Sequence, residues 1–144
     1  MRSQNDRNID VFLDPRGNNS KSWLTVHLWE RGQCLVIPRS ESSAAKISAY
    51  ICSVWRGEKL IILDIPRASK PKPEWYEAIE EIKDGLVFDP RYNGKCRNIR
   101  GTKLIIFTNI ELDRKRLSTD RWRLHGISQK SLEHDLHSIK NLKK

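Results

Sequence analysis

VFLDPRGNNSKSW, residues 11 to 23, joins a short apolar run to a polar turn and then to a stretch with helical spacing. A buried strand, a turn containing Gly17, and Lys21-Ser22 opening a helix form a context in which backbone N–H groups and the helix dipole hold phosphate. In that context Lys21 neutralises the β and γ phosphates and the Ser22 hydroxyl ligates Mg²⁺. Against the usual GxxxxGK[ST] spacing, Pro15 stands where the first glycine belongs and Ser20 where the second does. A polar turn that merely caps a helix is the competing reading, and the rest of the chain has to decide between them.

Outward from this stretch, CLVI (34 to 37), KLIILDI (59 to 65) and KLIIFT (103 to 108) repeat the character of VFL. These runs are rich in β-branched residues and too short for helices, so they read as strands buried on both faces, as in a parallel sheet. Between them lie helical patterns. Residues 21 to 31 end at Gly32, Ile47, Tyr50, Ile51 and Val54 share one face before Gly57, and Trp75, Ile79 and Ile82 share another before Gly85. The alternation predicts an α/β domain with a mainly parallel central sheet flanked by helices on both faces. LVFDPRYNGKCRNI, 86 to 99, is the exception: two extended pieces around Asn93-Gly94 predict a protruding β-hairpin. Leu132, Leu136 and Ile139 predict a C-terminal helix over 128 to 144.

The 144 residues suit one domain, with 38% hydrophobic residues to form its core. Lys and Arg outnumber Asp and Glu by 27 to 18, a balance that favours polyanionic partners. Cys34, Cys52 and Cys96 are far apart and form no CxxC pair, so neither a disulfide framework nor a zinc knuckle is indicated. Apolar runs are too short for a membrane span and the first residues are polar; a soluble intracellular protein is expected.

Two further strand ends bear on the phosphate reading. KLIILD closes with Asp64, where phosphate-loop ATPases place a metal-orienting acid, and KLIIFTN closes with Asn109 at a carboxyl end, where open α/β sheets bind ligands. A carboxylate that only makes a turn is the alternative for Asp64. The ordered blocks DPxGN…KSW, LIILDIPR, EEIKDGLVFDPRYNGK, LIIFTN and LSTDRW resemble the superfamily 3 helicase domain of replication initiator (Rep) proteins. These initiators come from circular single-stranded DNA viruses and related plasmids, of the circovirus and nanovirus type, and the resemblance covers about residues 9 to 127.

The resemblance implies a P-loop NTPase core of AAA+-like type over 9 to 127, preceded by a polar tail (1 to 8) and followed by the helix of 128 to 144. It implies ATP and Mg²⁺ as cofactors, single-stranded DNA as partner and a hexamer as the assembly, in the host nucleus if viral or in bacterial cytoplasm if plasmid-borne. Gly17, Asn18, Asn19, Ser20, Lys21 and Ser22 match the nucleotide-binding loop, Asp64 the Walker B acid, and Asn109 the sensor-1 residue. Ser22 and Asp64 would hold the Mg²⁺. Arg121 matches an arginine finger reaching a neighbouring subunit, its alternative being a surface arginine paired with Asp120. Arg91, Tyr92 and Lys95 match the DNA-contacting loop, where cations meet phosphates and a ring stacks on a base.

The departures are also legible. Ser20 brings a Cβ to a position that favours glycine, and Asp64 is followed by Ile65-Pro66 rather than by a second acid, leaving Glu77, Glu80 and Glu81 as candidate general bases. Tyr92 and Lys95 spell YxxK without a preceding HxH pair, and His134 with His137 lacks a third ligand, so neither nicking nor a structural metal is expected. Residues 1 to 8 are too short for the family's oligomerisation segment, which weakens ring assembly and leaves a monomer as the alternative to the hexamer, and the expectation is a motor module isolated from a longer initiator. Three activities compete: an ATP-dependent DNA helicase motor, a degenerate non-hydrolysing nucleic-acid-binding module, and, with least support, a small-molecule kinase.

Overall fold

A computed structural model describes residues 7–14, 21–38, 43–65, 70–89 and 95–126. Five strands form one sheet: β1 (Ile9–Leu13), β2 (Leu35–Ile37), β3 (Leu60–Asp64), β6 (Lys103–Thr108) and β7 (Trp122–Gly126), in the order β2-β3-β6-β1-β7. Every neighbouring pair is parallel. The expected α/β architecture is present. β4 (Leu86–Asp89) and β5 (Lys95–Asn98) pair antiparallel, Asp89 opposite Lys95, as the expected hairpin.

The period-2 alternation of strand side chains divides the core into two layers. Ile9 and Val11 of β1, Ile61 and Leu63 of β3, and Leu104 and Ile106 of β6 face α2 (Ala44–Val54) and α3 (Pro73–Asp84), which contribute Ile47, Ile51, Ile79 and Ile82. Phe12, Leu60, Ile62, Ile105 and Phe107 face the other way and meet Leu24 and Leu28 of α1 (Lys21–Glu30). These central strands are buried on both sides, which is why their sequences show no polar alternation.

α3 starts with Pro73 in its first turn, where a missing N–H is harmless, and stops at Gly85 with φ +94°. A Cβ on Gly85 would lie 2.7 Å from the Arg100 Cα, so glycine serves both the left-handed cap and the close passage of the returning chain. β7 was not foreseen. Its WRLHG mixes charge with apolar residues, and among the described residues it is an edge strand paired only with β1. The described part of the hairpin also differs from expectation: β4 alternates, with Val87 and Asp89 buried against the body, so this part packs on α2 instead of protruding. The residues between β4 and β5, and the predicted helix of 128 to 144, lie outside the described residues.

Candidate functional site

All five strands point the same way, so their carboxyl ends share one rim. β1 leads through α1 to β2 beyond β3, whereas β6 leads to β7 on the other side of β1. The direction of winding therefore reverses between β1 and β6, the place where open α/β sheets carry a ligand crevice. Three strand tips are stitched together there. Ile65 N–H donates to the Phe107 carbonyl at 2.9 Å, Asp14 N–H to the Thr108 carbonyl at 2.9 Å, and Asn109 Nδ2–H to the Asp14 carbonyl at 2.6 Å. Half-buried Asp64 and Asn109 thus end adjacent strands beside the end of β1.

Lys21 opens α1, and because β2 runs parallel to β1, α1 must start at this same rim and run back. Ser22, next to it, is exposed. The rim therefore gathers the start of a helix, a hydroxyl, a carboxylate and an amide. Hard oxygen donors of this kind suit Mg²⁺, which binds through one or two carboxylates together with substrate phosphates and water. No group of three or more His, Cys, Asp or Glu that could hold a metal occurs among the described residues. Gly17, Asn18, Asn19 and Ser20 lie outside the described residues. In the adjoining layer burial pushes the Cys34 thiol up to about 12, which favours its neutral form.

Arg121 lies at the opposite rim. It directly precedes β7, whose first residue Trp122 is level with Ile9 at the amino end of β1. Its guanidinium is 7% exposed and donates to Asp84 Oδ1 at 3.0 Å, with Glu80 at 3.8 Å. The anticipated pair with Asp120 does not form; Asp120 instead accepts from Arg7 Nε at 2.6 Å, which holds its carboxyl below the usual range. In this chain Arg121 clamps the 3-10 turn Thr119–Arg121 to the end of α3. On α3 two of the candidate bases are engaged elsewhere: Glu80 faces Arg121, and Glu81 Oε1 accepts the Phe88 N–H at 3.2 Å. Glu77 is exposed on the same helix. Lys95 opens β5 on the hairpin, while Arg91 and Tyr92 fall outside the described residues.

No known family's model matches this chain. One similarity stands out. Over 118 residues, 82% of the chain, it is 25% identical to the Master replication protein of Banana bunchy top virus, and it spans 39% of that protein's length. The chain is thus distantly similar to part of a viral replication protein.

Two acids with structural weight were missed. Asp14 is 2% exposed just beyond the carboxyl end of β1, and Asp10, the second residue of β1, is 1% exposed. Asp10 Oδ1 meets Arg123 Nε at 3.1 Å and His125 Nε2 at 2.8 Å, and His125 stacks on Phe12 with ring centroids 4.7 Å apart. The signal for Asp10 was weak, because its partners lie on β7, a strand that the sequence does not announce.

Proposed function

We propose that this chain is an ATP-dependent motor module of a replication initiator, a P-loop NTPase of AAA+-like type that acts on single-stranded DNA. The observation that carries the reading is the strand order, which brings the ends of β1, β3 and β6 together at a switch point with Asp64, Asn109 and the start of α1. ATP with Mg²⁺ fits this rim: Lys21 would neutralise the β and γ phosphates, while Ser22 and Asp64 would share the metal. Bound Mg²⁺ would draw charge from the phosphoryl group being transferred to water. Asn109, tied to the Asp14 carbonyl, holds the β6 tip against the entrance of the loop and would present its amide to the terminal phosphate.

The test is ATP turnover by wild type, Lys21→Ala and Asp64→Asn at high protein concentration with single-stranded DNA. Loss in both variants supports the motor; equal rates in all three eliminate it. A second reading, a non-hydrolysing nucleic-acid-binding module, is favoured by two observations. Buried Ile65 follows Asp64 where a second acid would help, and Arg121 is engaged with α3. Calorimetric titration with a non-hydrolysable ATP analogue separates the two. Tight Mg²⁺-dependent binding supports the motor, whereas salt-sensitive DNA binding with no nucleotide affinity supports the module.

A further inference from the structure

Between β6 and β7 the chain makes a short 3-10 turn, Arg114–Arg116, with three consecutive cations, all exposed. Its backbone is firmly held. Buried Leu112 and Leu117 bracket it in the α2–α3 core layer, Asp113 N–H donates to Tyr76 Oη at 2.8 Å, and Trp122 Nε1–H donates to the Arg114 carbonyl at 2.9 Å. Tyr76 and Trp122 themselves meet edge to face at 6.4 Å. The turn is a platform, not a loose loop.

Its charges are unevenly satisfied. Asp113 accepts the Lys115 N–H at 3.2 Å and pairs with Arg116 Nε at 3.3 Å, which uses the acid nearest the turn. Arg114 and Lys115 have no acidic partner among the described residues. Two like charges on successive residues of a held turn raise the local positive potential, and an anion with repeated phosphates would lower it. The chain as a whole carries net charge +9, which adds attraction at longer range.

We propose that Arg114 and Lys115 form a contact site for the phosphate backbone of nucleic acid, separate from the hairpin and from the ligand rim. The site does not depend on the nucleotide reading, so it is tested without nucleotide. Fluorescence anisotropy of a labelled single-stranded oligonucleotide is measured from 50 to 200 mM salt for wild type, Arg114→Gln/Lys115→Gln, Lys115→Gln and Arg116→Gln. Loss of two phosphate contacts lowers the slope of log affinity against log salt by about 1.4, which is about sevenfold less weakening across that range. Lys115→Gln, which removes no described side-chain contact, lowers the slope by about half as much. Arg116→Gln changes it less than the double variant does. Superimposable curves for wild type and the double variant overturn the site, as does absence of oligonucleotide binding by wild type. Equal binding of wild type to phosphatidylserine vesicles and to the oligonucleotide overturns the assignment to nucleic acid.

Discussion

The two rims of the sheet use similar residues in opposite ways. At the amino rim Arg121 reaches Asp84, Arg7 reaches Asp120, and Asn8 Nδ2–H donates to the Asp120 carbonyl at 2.7 Å, so charge is spent within the fold. At the carboxyl rim the ties run largely through the backbone, by way of Ile65, Asp14 and the Asn109 amide. Arg121, a cation in a suggestive motif, is thus a clamp in this fold.

The largest expected effect lies at the carboxyl rim: Lys21→Ala and Asp64→Asn each lower ATP turnover by about a hundredfold or more, the scale of removing one preorganised charge-stabilising group. Their melting temperatures stay near that of wild type. Arg121→Ala shows the reverse pattern. Loss of a hydrogen-bonded buried cation costs about 1.5–3 kcal/mol, read as a lower midpoint in urea unfolding, while turnover per folded molecule holds. A loss of about a thousandfold in turnover with unchanged stability would instead make Arg121 an in-trans finger and break the contrast between the rims.

Asn109→Ala sharpens the comparison from the other side. Removing its bond to the Asp14 carbonyl lowers stability by about 0.5–1.5 kcal/mol, less than Arg121→Ala, yet turnover falls further than in that variant. The smallest effect is a pH dependence at the amino rim. Asp120 is held below 3.8 chiefly by its hydrogen bond from Arg7, so its contribution is present above 3.8 and disappears as pH falls through the lowered folded value. Both partners are exposed and screened, which keeps the effect small. Melting curves of wild type and Asp120→Asn should differ slightly at pH 6 and draw together as the pH falls below 3.8; a gap that widens on acidification contradicts the assignment.

Much of the fold could be read in advance because central parallel strands are apolar on both faces and stop at polar residues. VFL, LIILD and KLIIFT, which supply the central strands β1, β3 and β6, each stand out without any knowledge of their neighbours. Helices ending at Gly32 and Gly85 were legible for a similar reason, since a left-handed cap favours glycine. WRLHG was not, because an edge strand may carry charges whose partner, here Asp10, lies more than a hundred residues away. The hairpin strands were found from their turn dipeptide, but the packing of Val87 and Asp89 on the body depends on α2, which no local pattern reports.

For the candidate site, the sequence alone determined the chemical types at the strand ends: Asp64 and Asn109 after apolar runs, Lys21-Ser22 at a helix start. Local periodicity and strand termination are properties of neighbouring residues, so a linear reading captures them. Only the tertiary structure decided which of these groups share a rim and that Arg121 lies across the sheet from them, beside Asp84. Strand order and burial arise from contacts between residues far apart in the chain, and the free energy that selects them is summed over the whole core.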